Sequence, residues 1–193
     1  MWEKEKGPCT CPGGKIELSR PDRFALLAFT YILLLYAGSG SARGLQLWLM
    51  AALGEWYRWV PALGCTLFLV FILGRGVKSL RTSTPLTKVF LFALMSCYVA
   101  AFYLLNIPAE KVHLVQYGIL AWLVTEALAG RFAGWQLHLA ALIIVVIAGV
   151  GDELVQWIRP NRVGDVRDIG LNTVSALLAQ GVLCVMERVP SAK

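Results

Sequence analysis

Apolar runs of about twenty residues recur along most of the chain, the length an α-helix needs to cross roughly 30 Å of hydrocarbon. They restrict the fold severely. In lipid every backbone N–H and C=O must be bonded within the protein, so only helices and closed barrels cross. These runs are rich in Leu, Ala, Val and Ile and lack the strict alternation of barrel strands, which selects a helical bundle. A hydrophobic content of 58% and a mean hydropathy of +0.64 over 193 residues exclude an ordinary soluble domain. The predicted class is all-α: a polytopic integral membrane bundle of about six transmembrane helices.

The crossings are predicted over residues 23–38, 56–73, 86–107, 112–129, 135–157 and 168–187. Residues 44–53 are apolar but too short to span, and read as an interfacial helix or an extension of a neighbour. The expected organisation is a polar cytoplasmic tail over 1–22, an additional transmembrane helix pair over 23–80, a four-helix unit over 86–187 and a short cytoplasmic tail over 188–193. Trp48, Trp56, Trp59, Trp122, Trp135 and Trp157 fall mostly near span ends and read as headgroup-layer anchors.

Lys and Arg placement sets the expected orientation. With a cytoplasmic N-terminus, the inner side holds Lys4, Lys6, Lys15, Arg20, Arg23, Arg75, Lys78, Arg81, Lys88, Arg131, Arg188 and Lys193, twelve of the eighteen basic residues. The outer side holds Arg43, Arg58, Lys111, Arg159, Arg162 and Arg167. The bias predicts both termini inside. The net charge of +6 follows from this asymmetry, and no motif or aromatic platform points to nucleic acid. The first apolar run follows a polar tail and lacks a small-residue cleavage site, so it is expected to anchor the mature protein. Cys9 and Cys11 lie in the tail while Cys65, Cys97 and Cys184 lie in spans, a distribution that argues against a disulfide framework and reads as reduced thiols.

Against this background, GDELVQWIRPNRVGDVRDIGLN over 151–172 is unusual. It packs Asp152, Glu153, Asp165 and Asp168 together with Arg159, Arg162 and Arg167 at the membrane edge, where ionisable residues mark functional sites. Asp152 and Gln156 are four apart and share a helix face. Acids in the last turns of a helix meet the negative end of its dipole, so Asp152 and Glu153 require compensation, with Arg159 and Arg162 the nearest cations. Pro160 ends that helix, and Asn161, Gly164 and Asp165 form the return. Asp168 reads as an N-cap or first-turn acid, or as a member of a site. Asn172 and Ser175 continue from it as a polar stripe that should face protein or water. A second cluster, IPAEKVHLVQY, brings Glu110, Lys111, His113 and Tyr117 to the same predicted depth, with His113 and Tyr117 on one face.

EKVHLVQYGIL, followed about forty residues later by DELVQWIRPNRVGDVRDIGLN, resembles the VanZ-like family over roughly residues 86–187. The matching positions are Glu110, Lys111, His113, Tyr117, Asp152, Glu153, Gln156, Arg162, Asp168 and Asn172. Glu110 stands where the family more often has Asp, which keeps the charge, and Ser175 where it often has Gly, which is expected to loosen close helix packing. The resemblance implies a bacterial cytoplasmic-membrane protein with a cell-envelope role, similar to one linked to resistance to teicoplanin, a lipid-bearing glycopeptide. It implies no reaction.

Three functions fit these residues. In a binding module, Lys111, His113, Arg159 and Arg162, supported by Glu110, Tyr117, Gln156, Asp165, Asp168 and Asn172, would cup an anionic lipid headgroup or lipid-linked envelope precursor. In an enzyme acting on an envelope lipid phosphate, His113 would be base or nucleophile and Asp152 or Glu153 its orienter or acid. In a structural network the acids and bases would neutralise one another and fix how the helices meet. No cofactor is implied, and metal catalysis is disfavoured because adjacent Lys and Arg compete for the carboxylates. His138 is predicted at the opposite end of its span from His113, and Glu126 is expected to pair locally with Arg131. Oligomeric state is left open.

Overall fold

The computed structural model describes residues 18–39, 41–159 and 165–187. Cys9, Cys11 and Arg162 therefore lie outside the described residues, as do Pro160, Asn161 and Gly164. Within the described residues the chain is all-helical: α1 Arg20–Gly38, α2 Ala42–Leu53, α3 Trp59–Thr82, α4 Pro85–Leu104, α5 Pro108–Leu128, α6 Trp135–Ile158 and α7 Val166–Glu187, with a 3-10 turn at Gly54–Arg58.

Local chemistry sets the helix starts. Ser19 Oγ accepts from the Asp22 N–H at 3.4 Å ahead of α1, and Thr84 Oγ1 accepts from the Thr87 N–H at 3.3 Å ahead of α4. Pro21, Pro85 and Pro108 occupy first-turn positions, where a missing N–H is harmless. At α7 the cap is Asp165, whose Oδ1 accepts from the Arg167 N–H at 2.9 Å, which leaves Asp168 as the first-turn acid.

Four stretches are each long and apolar enough to cross a membrane: Gly44–Gly74, Pro85–Leu104, Trp135–Ile158 and Val166–Met186. The chain is a membrane protein built as a helical bundle. Of the other two predicted crossings, α5 carries Glu110, Lys111 and Glu126, and it is the helix the rest surround, packed on α1, α3, α6 and α7. A spanning helix can be polar when its polar groups face protein rather than lipid. Leu114, Leu120 and Ala121 of α5 are fully buried, and Leu120 and Ala121 join Val145 and Ala176 in one apolar core cluster.

α1 belongs to the same core. Phe24, Tyr31, Ile32 and Leu35 pack on the buried residues of α5 and α6, and the Tyr31 hydroxyl donates to the Gln116 carbonyl at 3.3 Å. α2 is a separate short helix. Gly54, at φ 53°, turns the chain after it, and Leu45, Leu47, Trp48 and Met50 are exposed. Cys65, Cys97 and Cys184 are free thiols in α3, α4 and α7.

Trp122 also packs within the bundle, its ring lying edge-on to Phe24 at 5.5 Å and to Phe71 at 4.9 Å. One expectation needs correction. Glu126 pairs with Arg20 at 2.9 Å, and Arg131 reaches Asp22 at 3.7 Å, so the start of α1 supplies the partners that sequence neighbours were expected to supply.

Candidate functional site

The start of α5, the end of α6 and the start of α7 converge at one end of the bundle. Helical periodicity does part of the placing: Asp152, Glu153 and Gln156 are all buried, and Gln156 Nε2 donates to Asp152 Oδ2 at 3.3 Å and to Glu153 Oε1 at 3.1 Å. From α5 the Tyr117 hydroxyl donates to Asp152 Oδ2 at 3.3 Å, and the His113 ring stacks parallel to Tyr117 at 6.1 Å. From α7, Asn172 Oδ1 lies 2.7 Å from His113 Nδ1. Glu153, only 1% exposed, accepts from the Asp165 N–H at 3.1 Å, so its described partners are neutral donors. His113, Tyr117, Asp152, Glu153, Gln156, Asp165 and Asn172 thus form one connected cluster.

Small residues make room for it. A Cβ at Gly149 would come within 3.1 Å of Asn172 Cβ and 3.3 Å of the Tyr117 ring, so α5, α6 and α7 meet there only over glycine. Ser175 is fully buried and donates to the Leu114 carbonyl at 2.8 Å. This reverses the expectation that serine would loosen the packing, because the hydroxyl ties α7 to α5. The Tyr98 hydroxyl of α4 donates to the same carbonyl.

A family profile described as VanZ/LLP1 matches residues 23–187. The chain belongs to the VanZ-like family. The VanZ-like match begins within α1 and runs to the end of α7. No curated protein and no solved structure matches.

Lys111 and Arg159 of this VanZ-like protein contact groups other than the buried carboxylates. Lys111 Nζ lies 4.5 Å over the Phe102 ring of α4. Arg159 donates to the Tyr36 carbonyl at 3.0 Å and so supplies a cation to the last turn of α1, which has no basic residue of its own. Glu110, buried, is held by Arg167 through contacts of 3.1 and 3.4 Å. Asp168 is half-buried in the first turn of α7 and close enough to Glu153 to act on its charge. Among the described residues no group of three or more His, Cys, Asp or Glu side chains is placed to hold a metal ion.

Sequence reasoning missed Tyr36 and the role of Arg167. The Tyr36 hydroxyl donates to the Ala148 carbonyl at 2.9 Å and rests on Gly151, which brings α1 against the last turns of α6. Tyr36 sits in an apolar run with no motif, so only tertiary packing reveals it. Arg167 was legible as a charge opposite to Glu110, but the two are 57 positions apart.

Proposed function

We propose that this VanZ-like membrane protein holds the phosphate-bearing headgroup of an envelope lipid or lipid-linked envelope precursor where α5, α6 and α7 converge. The observation that carries the reading is Asn172. It is 1% exposed, its Oδ1 is engaged by His113, and its Nδ2 has no hydrogen-bond partner among the described residues. A buried donor left unmet is destabilising by about 1–3 kcal/mol. A headgroup oxygen at that place supplies the acceptor. Arg159 spends one of its five N–H donors on Tyr36, so its fork has capacity for a phosphate at the rim. The surrounding apolar helices suit the lipid tails. On the charge bias of the loops the site faces outward from the bacterial cytoplasmic membrane, with both termini inside. Altered susceptibility to lipid-bearing glycopeptides would be a consequence of occupying that surface.

Native mass spectrometry of the detergent-purified protein tests this. Wild type is expected to retain an anionic-phosphate lipid that Asn172→Leu and Arg159→Ala lose while keeping their thermal stability. Identical lipid profiles in all three proteins reject the headgroup reading and favour a structural network.

One observation favours a second reading, hydrolysis or transfer at the lipid phosphate. Asn172 fixes the His113 ring through Nδ1, which leaves Nε2 as the nitrogen to accept a proton. The orienter is Asn172, where sequence reasoning expected Asp152 or Glu153. Turnover of a radiolabelled lipid phosphate lost in His113→Ala, with lipid retention intact, is the outcome this reading requires.

A further inference from the structure

Glu153 carries the ligand question further. It is 1% exposed, and its hydrogen bonds come from the Gln156 side chain and the Asp165 N–H, both neutral. Asp152, Asp168 and His113 are the charged or ionisable groups that act on it besides these contacts. The contacts of the described basic residues at this end go to other groups: Arg159 donates to the Tyr36 carbonyl, Arg167 holds Glu110, and Lys111 lies over the Phe102 face. Asp168 forms no side-chain hydrogen bond or ion pair among the described residues. Among the described residues Glu153 and Asp168 therefore have no cationic partner, while Asn172 Nδ2, buried beside Gly149 and Tyr117, has no acceptor. Buried or half-buried carboxylates without a counter-charge are destabilising. A single ligand that presents both an ammonium and an oxyanion answers both deficits together.

We infer that the bound headgroup is that of an aminophospholipid, a phosphate ester bearing a primary ammonium, with the ammonium on the Glu153 and Asp168 side and a phosphate oxygen on Asn172 Nδ2. The inference rests on the headgroup reading above and adds the amine. A primary ammonium offers three N–H donors to carboxylates, whereas a trimethylated one offers none and a glycerol headgroup has no cation.

The test uses the full-length protein in nanodiscs of equal mole fractions of phosphatidylethanolamine, phosphatidylcholine and phosphatidylglycerol, with retained lipid read by native mass spectrometry. Wild type is expected to retain phosphatidylethanolamine roughly tenfold over either of the others, the effect of one charge-assisted contact. Glu153→Gln and Asp168→Asn bring phosphatidylethanolamine down to parity with phosphatidylcholine. Asp168 is half-buried and outside the hydrogen-bonded cluster, so its variant keeps the test open if the Glu153 variant misfolds. Equal retention of phosphatidylethanolamine and phosphatidylcholine by wild type overturns the inference. Preference for phosphatidylglycerol, lost in Asn172→Leu, overturns the amine and leaves the headgroup site standing. Equal retention of all three lipids, unchanged in Asn172→Leu, overturns both.

Discussion

The two ends of the bundle use the same chemistry and finish it differently. At one end His113 Nδ1 meets the side-chain oxygen of Asn172, and at the other His138 Nδ1 meets that of Gln180 at 2.8 Å, so in each case an amide of α7 holds a histidine. The Gln180 amide is fully used, since its Nε2 donates to Thr125 Oγ1 at 2.9 Å and to the Ala121 carbonyl at 3.2 Å. The Asn172 amide is half used. Between them lies the apolar layer of Leu120, Ala121, Val145 and Ala176. A satisfied buried network rigidifies a bundle, whereas one with an open valence is completed by something else. On the proposed function, the His138 end is structure and the His113 end is the headgroup site.

The sharpest way to break this comparison is to remove each amide. Gln180→Leu takes away the contacts to three partners and leaves the Thr125 and His138 groups to find others, with an expected loss of about 2–3 kcal/mol and a lowered Tm, but unchanged lipid retention in the folded fraction. Asn172→Leu removes one contact together with an unmet donor, so its stability cost is below about 1 kcal/mol while lipid retention is lost. Thermal unfolding in detergent beside native mass spectrometry separates the two. If both variants lose only stability, the ends are equivalent and the site assignment fails.

The difference between the ends was only partly legible in the sequence. Helical spacing correctly grouped Asp152 with Gln156 and His113 with Tyr117, because neighbours on one helix face follow from the period alone. The polar stripe of Asn172 and Ser175 was legible as facing protein, and both are buried. Period does not say which helices adjoin, so the partners of charges were misjudged where they lay far apart in the chain. Glu126 found Arg20 across 106 positions instead of the nearby Arg131, and Arg159 turned to the carbonyl of Tyr36. The six long helices were legible from apolar run length, but α5 at the centre was not distinguishable from its neighbours. Its polarity makes sense only once α1, α3, α6 and α7 enclose it.

A smaller effect probes how α1 closes the site end. A Cβ at Gly151 would clash with the Tyr36 hydroxyl, so Gly151→Ala must displace the ring from the Ala148 carbonyl. The expected cost is about 1–3 kcal/mol. Tyr36→Phe removes the clashing oxygen, and in the double variant the two effects are expected to be less than additive by about 1 kcal/mol. Strict additivity in thermal unfolding would mean that Tyr36 does not rest on Gly151.

The smallest effects compare the ion pairs at the two ends, and their ranking follows from what each carboxylate keeps. Arg167 is 61% exposed and Arg20 is 67% exposed, so screening limits both. Removing Arg167 leaves Glu110 buried with no other side-chain partner among the described residues, and about 1 kcal/mol of stability should go with it. Removing Arg20 leaves Glu126 still accepting from Trp122 Nε1 at 3.3 Å, so Arg20→Ala should change stability by no more than about 0.5 kcal/mol. Raising the salt concentration should shrink both differences, and the Arg20 effect should vanish first because its pair is the more exposed. An Arg20 variant more damaging than the Arg167 variant would reverse the order of the ends and place the more demanding electrostatics beside His138.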